Sequence, residues 1–153
     1  MGPSDEAAPF TEEEEAFLAA LQPAVMAMTQ AFDKAMRTQG LTRTEYFVLL
    51  ALSKAPDHTM KLGDLAGLCH VSPPVLGRTV QALAAEGLLL REQAPHDARS
   101  FNAVLTDTGR TRLEQALPVY VATLRRLVLD HLHREDLDVG KLAAAWQRMA
   151  ETA

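Results

Sequence analysis

Apolar side chains recur every three or four positions through the first part of the chain, which places them on one face of an α-helix. They are Phe17, Leu21, Val25, Met28, Phe32 and Met36. Thr11 and the glutamates after it favour a helix start, and Gly40 ends the pattern. Pro23 lies inside the stripe and is expected to kink the helix. We therefore predict a long helix over residues 11–40, preceded by a disordered segment over residues 1–10.

Two shorter helices are predicted next, with a short strand between them. Thr42 caps the first, Arg43–Lys54, which is apolar enough to be buried. The strand covers Thr59–Lys61, and the next helix covers Leu62–Cys69 with its apolar residues on one face.

A fourth helix, Ser72–Glu86, follows a turn at Val71-Ser72. Ser72 before Pro73 is a strong helix-start signal, and Gly87 ends the helix. Its buried face is predicted to consist of Leu76, Val80 and Leu83.

The pattern then changes from helical to strand-like. Leu88–Gln93 and Phe101–Leu105 are short apolar segments on either side of a polar, turn-prone stretch at 94–100, which predicts a hairpin. Two further helices are expected: one capped by Thr106 that continues through Val128 with a bend at Pro118, and one from about Asp136 to Ala150.

This order of elements predicts a mainly α (α+β) fold, a winged helix-turn-helix with N- and C-terminal helices forming a dimerisation domain. The winged helix-turn-helix covers residues 41–106. The helices of 11–40 and 107–153 carry more apolar face than one small domain can cover, so we expect both ends of the chain to pack against a second copy in a homodimer.

The charge distribution permits nucleic-acid binding without arguing for it. Net charge is −5, but residues 1–30 hold six acidic side chains and no basic ones, whereas 31–153 hold 15 basic and 14 acidic side chains. No strongly basic stripe exists. The single cysteine, the lack of a secretory signal and the lack of a long apolar run predict a cytoplasmic protein that does not enter membranes.

Five short motifs, in order and at the family's spacing, resemble the MarR family of bacterial transcription regulators over nearly the whole chain. They are Leu41-Thr42, Leu65-Ala66 with Val71-Ser72, Leu83-x-x-Glu86-Gly87-Leu88, Asp97-Ala98-Arg99-Ser100, and Leu105-Thr106-x-x-Gly109. The resemblance implies a homodimer that binds double-stranded DNA at a pseudo-palindromic operator. It also implies a repressor that releases DNA when a small, often phenolic or anionic effector binds in a cleft of the first, second and fifth helices.

Candidate DNA contacts on the fourth helix follow from its outward face. Arg78 and Gln81 supply donors for bases or phosphates, and the helix start at Ser72 suits a phosphate. Gly77 departs from the family, where Ser or Thr is common, and allows close approach to DNA. The candidate residues of this helix are Ser72, Pro74, Val75, Gly77, Arg78 and Gln81.

The candidate contacts of the wing are Asp97, Arg99 and Ser100. The resemblance implies that Arg99 reaches the minor groove or its phosphates. Asp97 is expected to aim the Arg99 guanidinium through a bidentate salt bridge.

Two alternatives stay open at this stage. A winged-helix dimer that has lost DNA binding could act as a protein adaptor, because the charges of the recognition surface nearly cancel. A redox-responsive regulator could use Cys69, although this position favours core packing. No residues have metal-site spacing or form a catalytic constellation, so we expect neither an enzyme nor a cofactor.

Overall fold

The computed structural model describes residues 9–95 and 97–152, so the expectation of disorder for residues 1–8 lies outside it. The helices are α1 Glu12–Arg37, α2 Arg43–Lys54, α3 Leu62–Leu68, α4 Pro73–Ala85, α5 Asp107–Leu124, α6 Asp130–Arg134 and α7 Val139–Thr152. The strands are β1 Thr59–Lys61, β2 Leu89–Ala94 and β3 Asp97–Leu105. A 3₁₀ turn at Pro56–His58 precedes β1, and a π-helical segment at Arg125–Leu129 joins α5 to α6.

Reciprocal hydrogen bonds fix the starts of the first two helices. Thr11 accepts from the Glu14 main-chain N–H at 3.2 Å, and the Glu14 carboxylate accepts from the Thr11 N–H at 2.8 Å. Thr42 and Glu45 repeat this capping box. α1 then continues through Pro23 to Arg37, so the proline does not end the helix.

The core lies around α2, and only the C-terminal half of α1 reaches it. Phe32 and Met36 of α1 are buried, whereas Phe17, Leu21 and Val25 of the same apolar stripe are exposed. The largest fully buried side chains outside α1 come from α2, α3, α4 and the segment that leads into and starts β2: Tyr46, Val48, Leu49, Leu52, Leu65, Leu76, Val80, Leu83, Leu88 and Leu89. The apolar stripe of α1 is therefore buried in the core at its C-terminal end and exposed on the protein surface at its N-terminal end.

The three strands form an antiparallel sheet in the order β1-β3-β2. The predicted turn over 94–100 is wrong, because residues 97–100 belong to β3. Gln93 pairs with Phe101, but the next residue, Ala94, pairs with Asp97. Residues 98–100 therefore have no counterpart on β2 and form a bulge near the tip of the hairpin.

The C-terminal helices differ from the prediction at two points. The helix after Thr106 is interrupted by the π-helical segment instead of running evenly through Val128. The last helix begins at Val139 because Asp136 has a positive φ of 52° that ends α6, and the Asp138 carboxylate then accepts from the Lys141 N–H at 3.0 Å.

The predicted mainly α fold with a small sheet is confirmed. α3 and α4 form a helix-turn-helix, and the β2–β3 hairpin is the wing. Within the described ranges, no helix combines the length and the apolar character that crossing a bilayer requires.

Candidate nucleic-acid interface

The helix α4 presents the face that the sequence predicted. Leu76, Val80 and Leu83 are buried, with at most 2% of each side chain exposed. The residues turned outward are Pro74, Arg78, Gln81 and Ala85, and all four are exposed. The helix is therefore anchored along one side and free along the other.

The start of α4 offers fewer main-chain donors than expected. Ser72 is the N-cap residue, but its side chain makes no capping hydrogen bond. Pro73 and Pro74 occupy the first two helical positions and have no N–H. The Leu76 N–H is already bonded to the Ser72 carbonyl at 3.0 Å. The expected phosphate site at this helix start is thus reduced to the half-buried Val75 N–H and the Ser72 hydroxyl.

A groove of about 460 Å³ lies between α4 and the wing. Its lining is Leu62, Gly77, Gln81, Ala84 and Arg91. A Cβ added to Gly77 would meet no atom within 4 Å outside its own stretch of helix, so Gly77 faces open space.

The contact between Asp97 and Arg99 in the wing differs from the expected salt bridge. The Asp97 carboxylate accepts a hydrogen bond of 3.0 Å from the main-chain N–H of Arg99. The expected salt bridge to the Arg99 guanidinium is not formed between these two described residues. Asp97 thus orders the main chain of the bulge, and the exposed Arg99 side chain remains free to meet an anion. Ser100 beside it is half-buried.

Arg91 is a second cation of the wing, and the sequence analysis did not select it as a site residue. Its guanidinium lies over the Phe101 ring, with 3.6 Å between the guanidinium carbon and the ring centroid. Because Arg91 pairs with Ala103 and Phe101 pairs with Gln93, the two side chains are diagonal neighbours on one face of the hairpin. The contact between Arg91 and Phe101 follows from the register of β2 and β3, which the sequence alone does not give.

Two of the family motifs meet where α4 ends and α5 begins. Gly87 has a φ of +72°, which closes α4. The Thr106 hydroxyl donates to the Gly87 carbonyl at 2.7 Å and accepts from the Gly109 N–H at 3.0 Å. A side chain at Gly109 would overlap the Leu88 carbonyl oxygen. This junction fixes the wing and α4 to the N-terminus of α5.

The charge of the recognition surface is more positive than the sequence suggested. This surface carries three arginines, Arg78, Arg91 and Arg99, and three exposed carboxylates, Glu86, Glu92 and Asp97. The Glu86 carboxylate pairs with Arg112 at 3.8 Å, which leaves two carboxylates against the three arginines. The guanidinium groups of Arg78, Arg91 and Arg99 have no ion-pair partner among the described residues. The surface therefore combines free cations with a groove and an exposed helix, which suits a polyanion.

Four aromatic rings fill the junction of α1, α2 and α5, where the effector cleft was expected. Phe32, Tyr46, Phe47 and Tyr120 lie with ring centroids 4.9–6.5 Å apart. The Tyr46 hydroxyl is buried and has no hydrogen-bond partner among the residues that the structure describes. Burial, followed by the nearby Tyr120, raises the pKa of Tyr46 to about 12.

Cys69 lies partly buried against the core at the end of α3. Burial raises the pKa of its thiol, which lowers the fraction of reactive thiolate. This environment disfavours the redox alternative.

Comparison with known proteins agrees with these features. The sequence profile of the MarR family matches residues 39–100, which hold α2, the helix-turn-helix and most of the wing. The chain is similar to the HTH-type transcriptional repressor YetL of Bacillus subtilis, with 26% identity over 113 residues, 73% of this chain and 68% of that protein.

Two solved structures from Streptomyces coelicolor share the fold over almost all of this chain. The MarR family transcriptional regulator AbsC superposes with a TM-score of 0.85 at 27% identity, covering 95% of this chain and 97% of that one. The MarR family regulator Sco3205, solved in complex with DNA, superposes with a TM-score of 0.83 at 24% identity, covering 97% of this chain and 91% of that one. Family profile, relative and structures agree: the sequence of residues 39–100 and the fold of almost the whole chain are similar to those of MarR family transcriptional regulators.

Proposed function

We propose that this protein is a homodimeric repressor that binds a pseudo-palindromic operator through α4 and the wing and releases it when a small effector binds. The observation that carries the proposal is the presence of two unlike surfaces. One combines Arg78, Arg91 and Arg99 with the exposed face of α4. The other is an uncovered apolar face on α1 and the C-terminal helices.

The uncovered apolar face supports the dimer. Phe17 is 59% exposed and Trp146 is 53% exposed, and both line an apolar groove of about 440 Å³ between α1 and the segment from 127 to 146. Other exposed large apolar side chains of α1, α5, α7 and the connection between α6 and α7 are Leu18, Leu21, Val25, Met26, Leu117, Val121, Leu137 and Met149. Soluble monomers rarely expose so much contiguous apolar surface. A second copy of the chain, joined about a two-fold axis, would cover it.

Sedimentation equilibrium tests the dimer. Wild-type protein is expected at twice the chain mass, and Trp146→Glu is expected to shift it toward the monomer because a buried charge at the interface is unpaired. The matched control is Gln147→Glu, which adds the same charge at the next exposed position. A wild-type protein that stays monomeric at micromolar concentration would contradict the proposal.

Operator binding requires the two copies of α4 to lie about one helical turn of DNA apart, roughly 34–36 Å, so that both enter the major groove on one side of the duplex. Each wing would then reach the neighbouring minor groove through Arg99. The candidate contacts are Ser72, Pro74, Val75, Gly77, Arg78 and Gln81 of the recognition helix, with Asp97, Arg99 and Ser100 of the wing.

Selection of bound sites from a pool of random duplexes tests this mode of binding. Two inverted half-sites at a fixed spacing are the expected outcome. A promoter that carries the selected site should then drive a reporter less when the protein is present, as repression requires. Enrichment of no sequence would favour the adaptor alternative, and higher reporter output would contradict the repressor assignment.

Effector release is proposed at the aromatic junction of α1, α2 and α5, because this junction connects the apolar outer helices to the helix-turn-helix. Because the four rings fill this junction, an aromatic effector would enter it by displacing one of them. A phenolic or anionic aromatic molecule could then stack on the remaining rings and hydrogen-bond to the Tyr46 hydroxyl, which has no partner among the described residues. An effector that prefers a different separation of the two α4 helices would shift the population away from DNA.

A screen of aromatic carboxylates and phenols for release of the selected duplex tests the effector. Release by a compound whose potency falls in Tyr46→Phe supports the proposed place. Release that is unchanged in this variant would put the effector elsewhere.

A further inference from the structure

The wing holds one arginine that the candidate contacts omit. Arg91 lies in β2 opposite Ala103, and its side chain lines the groove between α4 and the wing together with Gly77 and Gln81. It therefore lies behind the tip of the wing and beside the recognition helix, away from the bulge that carries Arg99.

The Arg91 guanidinium is held by an aromatic ring, but its N–H groups have no acceptor among the described residues. Its plane is held by Phe101, with the guanidinium carbon 3.6 Å from the ring centroid. Within the described part of the chain, it makes neither a hydrogen bond nor an ion pair. Stacking on a ring uses the face of the guanidinium and leaves its N–H edge able to donate.

The acidic groups nearest in sequence do not neutralise it. Glu92 follows Arg91 in the strand, and strand alternation points its side chain to the opposite face. Glu86 is paired with Arg112 at the far end of α4. Among the described residues, Arg91 is thus an unpaired, preoriented cation in a groove whose other lining residues are uncharged.

A winged helix-turn-helix that places its helix in the major groove and its wing tip in the minor groove must straddle the sugar-phosphate strand between the two grooves. That strand crosses the protein between α4 and the wing, which is where the Arg91 groove lies. Arginine donates two parallel N–H groups to a phosphate more readily than lysine does. Gly77 and Ala84 leave space for the strand, because neither carries a long side chain.

We propose that Arg91, held by Phe101, is a phosphate contact that grips the DNA strand passing between the recognition helix and the wing. This inference rests on the proposed mode of operator binding. The contact would add affinity without sequence preference, and it would place α4 at a fixed depth in the major groove.

Fluorescence anisotropy against salt concentration tests the proposal, using one selected operator duplex and one random duplex. Arg91→Ala is expected to weaken binding to both duplexes by a similar factor, about tenfold, and to lower the slope of log K against log salt by about 0.9 per chain. Arg91→Gln should give the same result and carries the test if the alanine variant folds poorly. Phe101→Leu keeps the charge, so it should leave the slope unchanged while weakening affinity.

Arg134→Ala is the matched control, because Arg134 is an exposed arginine at the end of α6 and far along the chain from the groove. It should leave affinity and slope as in the wild type. Unchanged affinity and slope in both Arg91 variants would overturn the proposal, and so would a loss confined to particular base pairs of the operator. If the wild-type protein binds the duplexes and Arg99→Ala weakens binding, such a result rejects the role of Arg91 alone. If the wild type binds neither duplex, the proposed function itself fails.

Discussion

The hydroxyl of Thr106 donates a hydrogen bond of 2.7 Å to the main-chain carbonyl of Gly87. The same oxygen accepts from the Gly109 N–H and so caps α5. One side chain therefore joins the end of the recognition helix to the start of a helix that leads into the proposed dimer region. The Gly87 and Thr106 motifs, which are 19 residues apart in sequence, are thus two sides of one contact.

Replacing Thr106 with valine should destabilise the protein. The change keeps the side-chain shape but removes the donor to Gly87 and the cap of α5, a loss of about 1–3 kcal/mol in the free energy of unfolding. Urea unfolding measures it. The control is Thr108→Val, at an exposed position in the first turn of α5, which should change stability by less than about 0.5 kcal/mol. Equal effects of the two substitutions would show that the contact is unimportant.

Two glycine-to-alanine substitutions should change the free energy of unfolding in opposite directions. Gly109→Ala pushes a Cβ into the Leu88 carbonyl, so it should cost about 2 kcal/mol or more. Gly77→Ala meets open space inside α4 and should raise stability by up to about 1 kcal/mol, because alanine is the better helix former. Thermal unfolding of both variants decides this. A destabilised Gly77→Ala would mean that the groove beside α4 is narrower than the structure indicates.

Tyr46 should make the protein sensitive to alkaline pH. Its pKa of about 12 in the folded protein lies above its usual 10, so the folded state holds the proton more tightly than the unfolded chain does. Stability is therefore fully present below pH 10 and falls as pH rises through 12, by on the order of 2 kcal/mol. Tyr46→Phe should remove this part of the alkaline loss and should not reduce stability at neutral pH, because the hydroxyl has no partner to lose.

The control for Tyr46 is Tyr120→Phe, which alters the neighbouring ring of the same cluster. It should keep most of the loss of stability between pH 10 and 12, because burial is the larger cause of the raised Tyr46 pKa and the Tyr120 charge the smaller one. If Tyr46→Phe loses stability at neutral pH by more than about 1 kcal/mol, its hydroxyl has a partner that the structure does not show.

Arg99 and Gln81 should affect DNA binding in different ways. Arg99→Ala removes a free cation of the wing, so it should weaken binding to every duplex and lower the salt slope by about 1. Gln81→Ala removes a donor from the exposed face of α4, so it should change the preferred sequence and leave the slope intact. Repeating the site selection with each variant measures both effects. Unchanged binding in both variants would show that the DNA-contacting face is assigned wrongly.

Periodicity predicted the buried face of α4 and the helices of the core because burial in this fold repeats with the helical turn. Leu76, Val80 and Leu83 were found in this way and are buried. The same reasoning failed at residues 97–100, which form a strand. Asp97 and Arg99 are exposed and the pairing is irregular at the bulge, so the sequence here lacks the alternation of apolar and polar residues that marks a strand.

Two side-chain contacts could not be predicted, because they join residues whose relative positions only the folded structure shows. The contact between Arg91 and Phe101 requires the strand register, including the bulge at 98–100. The pairing of Glu86 with Arg112 joins two helices and alters the charge of the recognition surface. The shortage of N–H groups at the start of α4 was visible in Pro73 and Pro74, and it could have been predicted from the absence of an amide hydrogen in proline.

Hydroxyl-radical footprinting of the wild-type protein on its selected duplex tests whether a dimer grips DNA with two copies of α4 and two wings. We expect protection on one face of the duplex, in two blocks about one helical turn apart, each flanked by a protected minor groove. The sugars between each recognition helix and its wing should also be protected. A single block of protection, or protection that lacks the flanking minor grooves, would contradict the account.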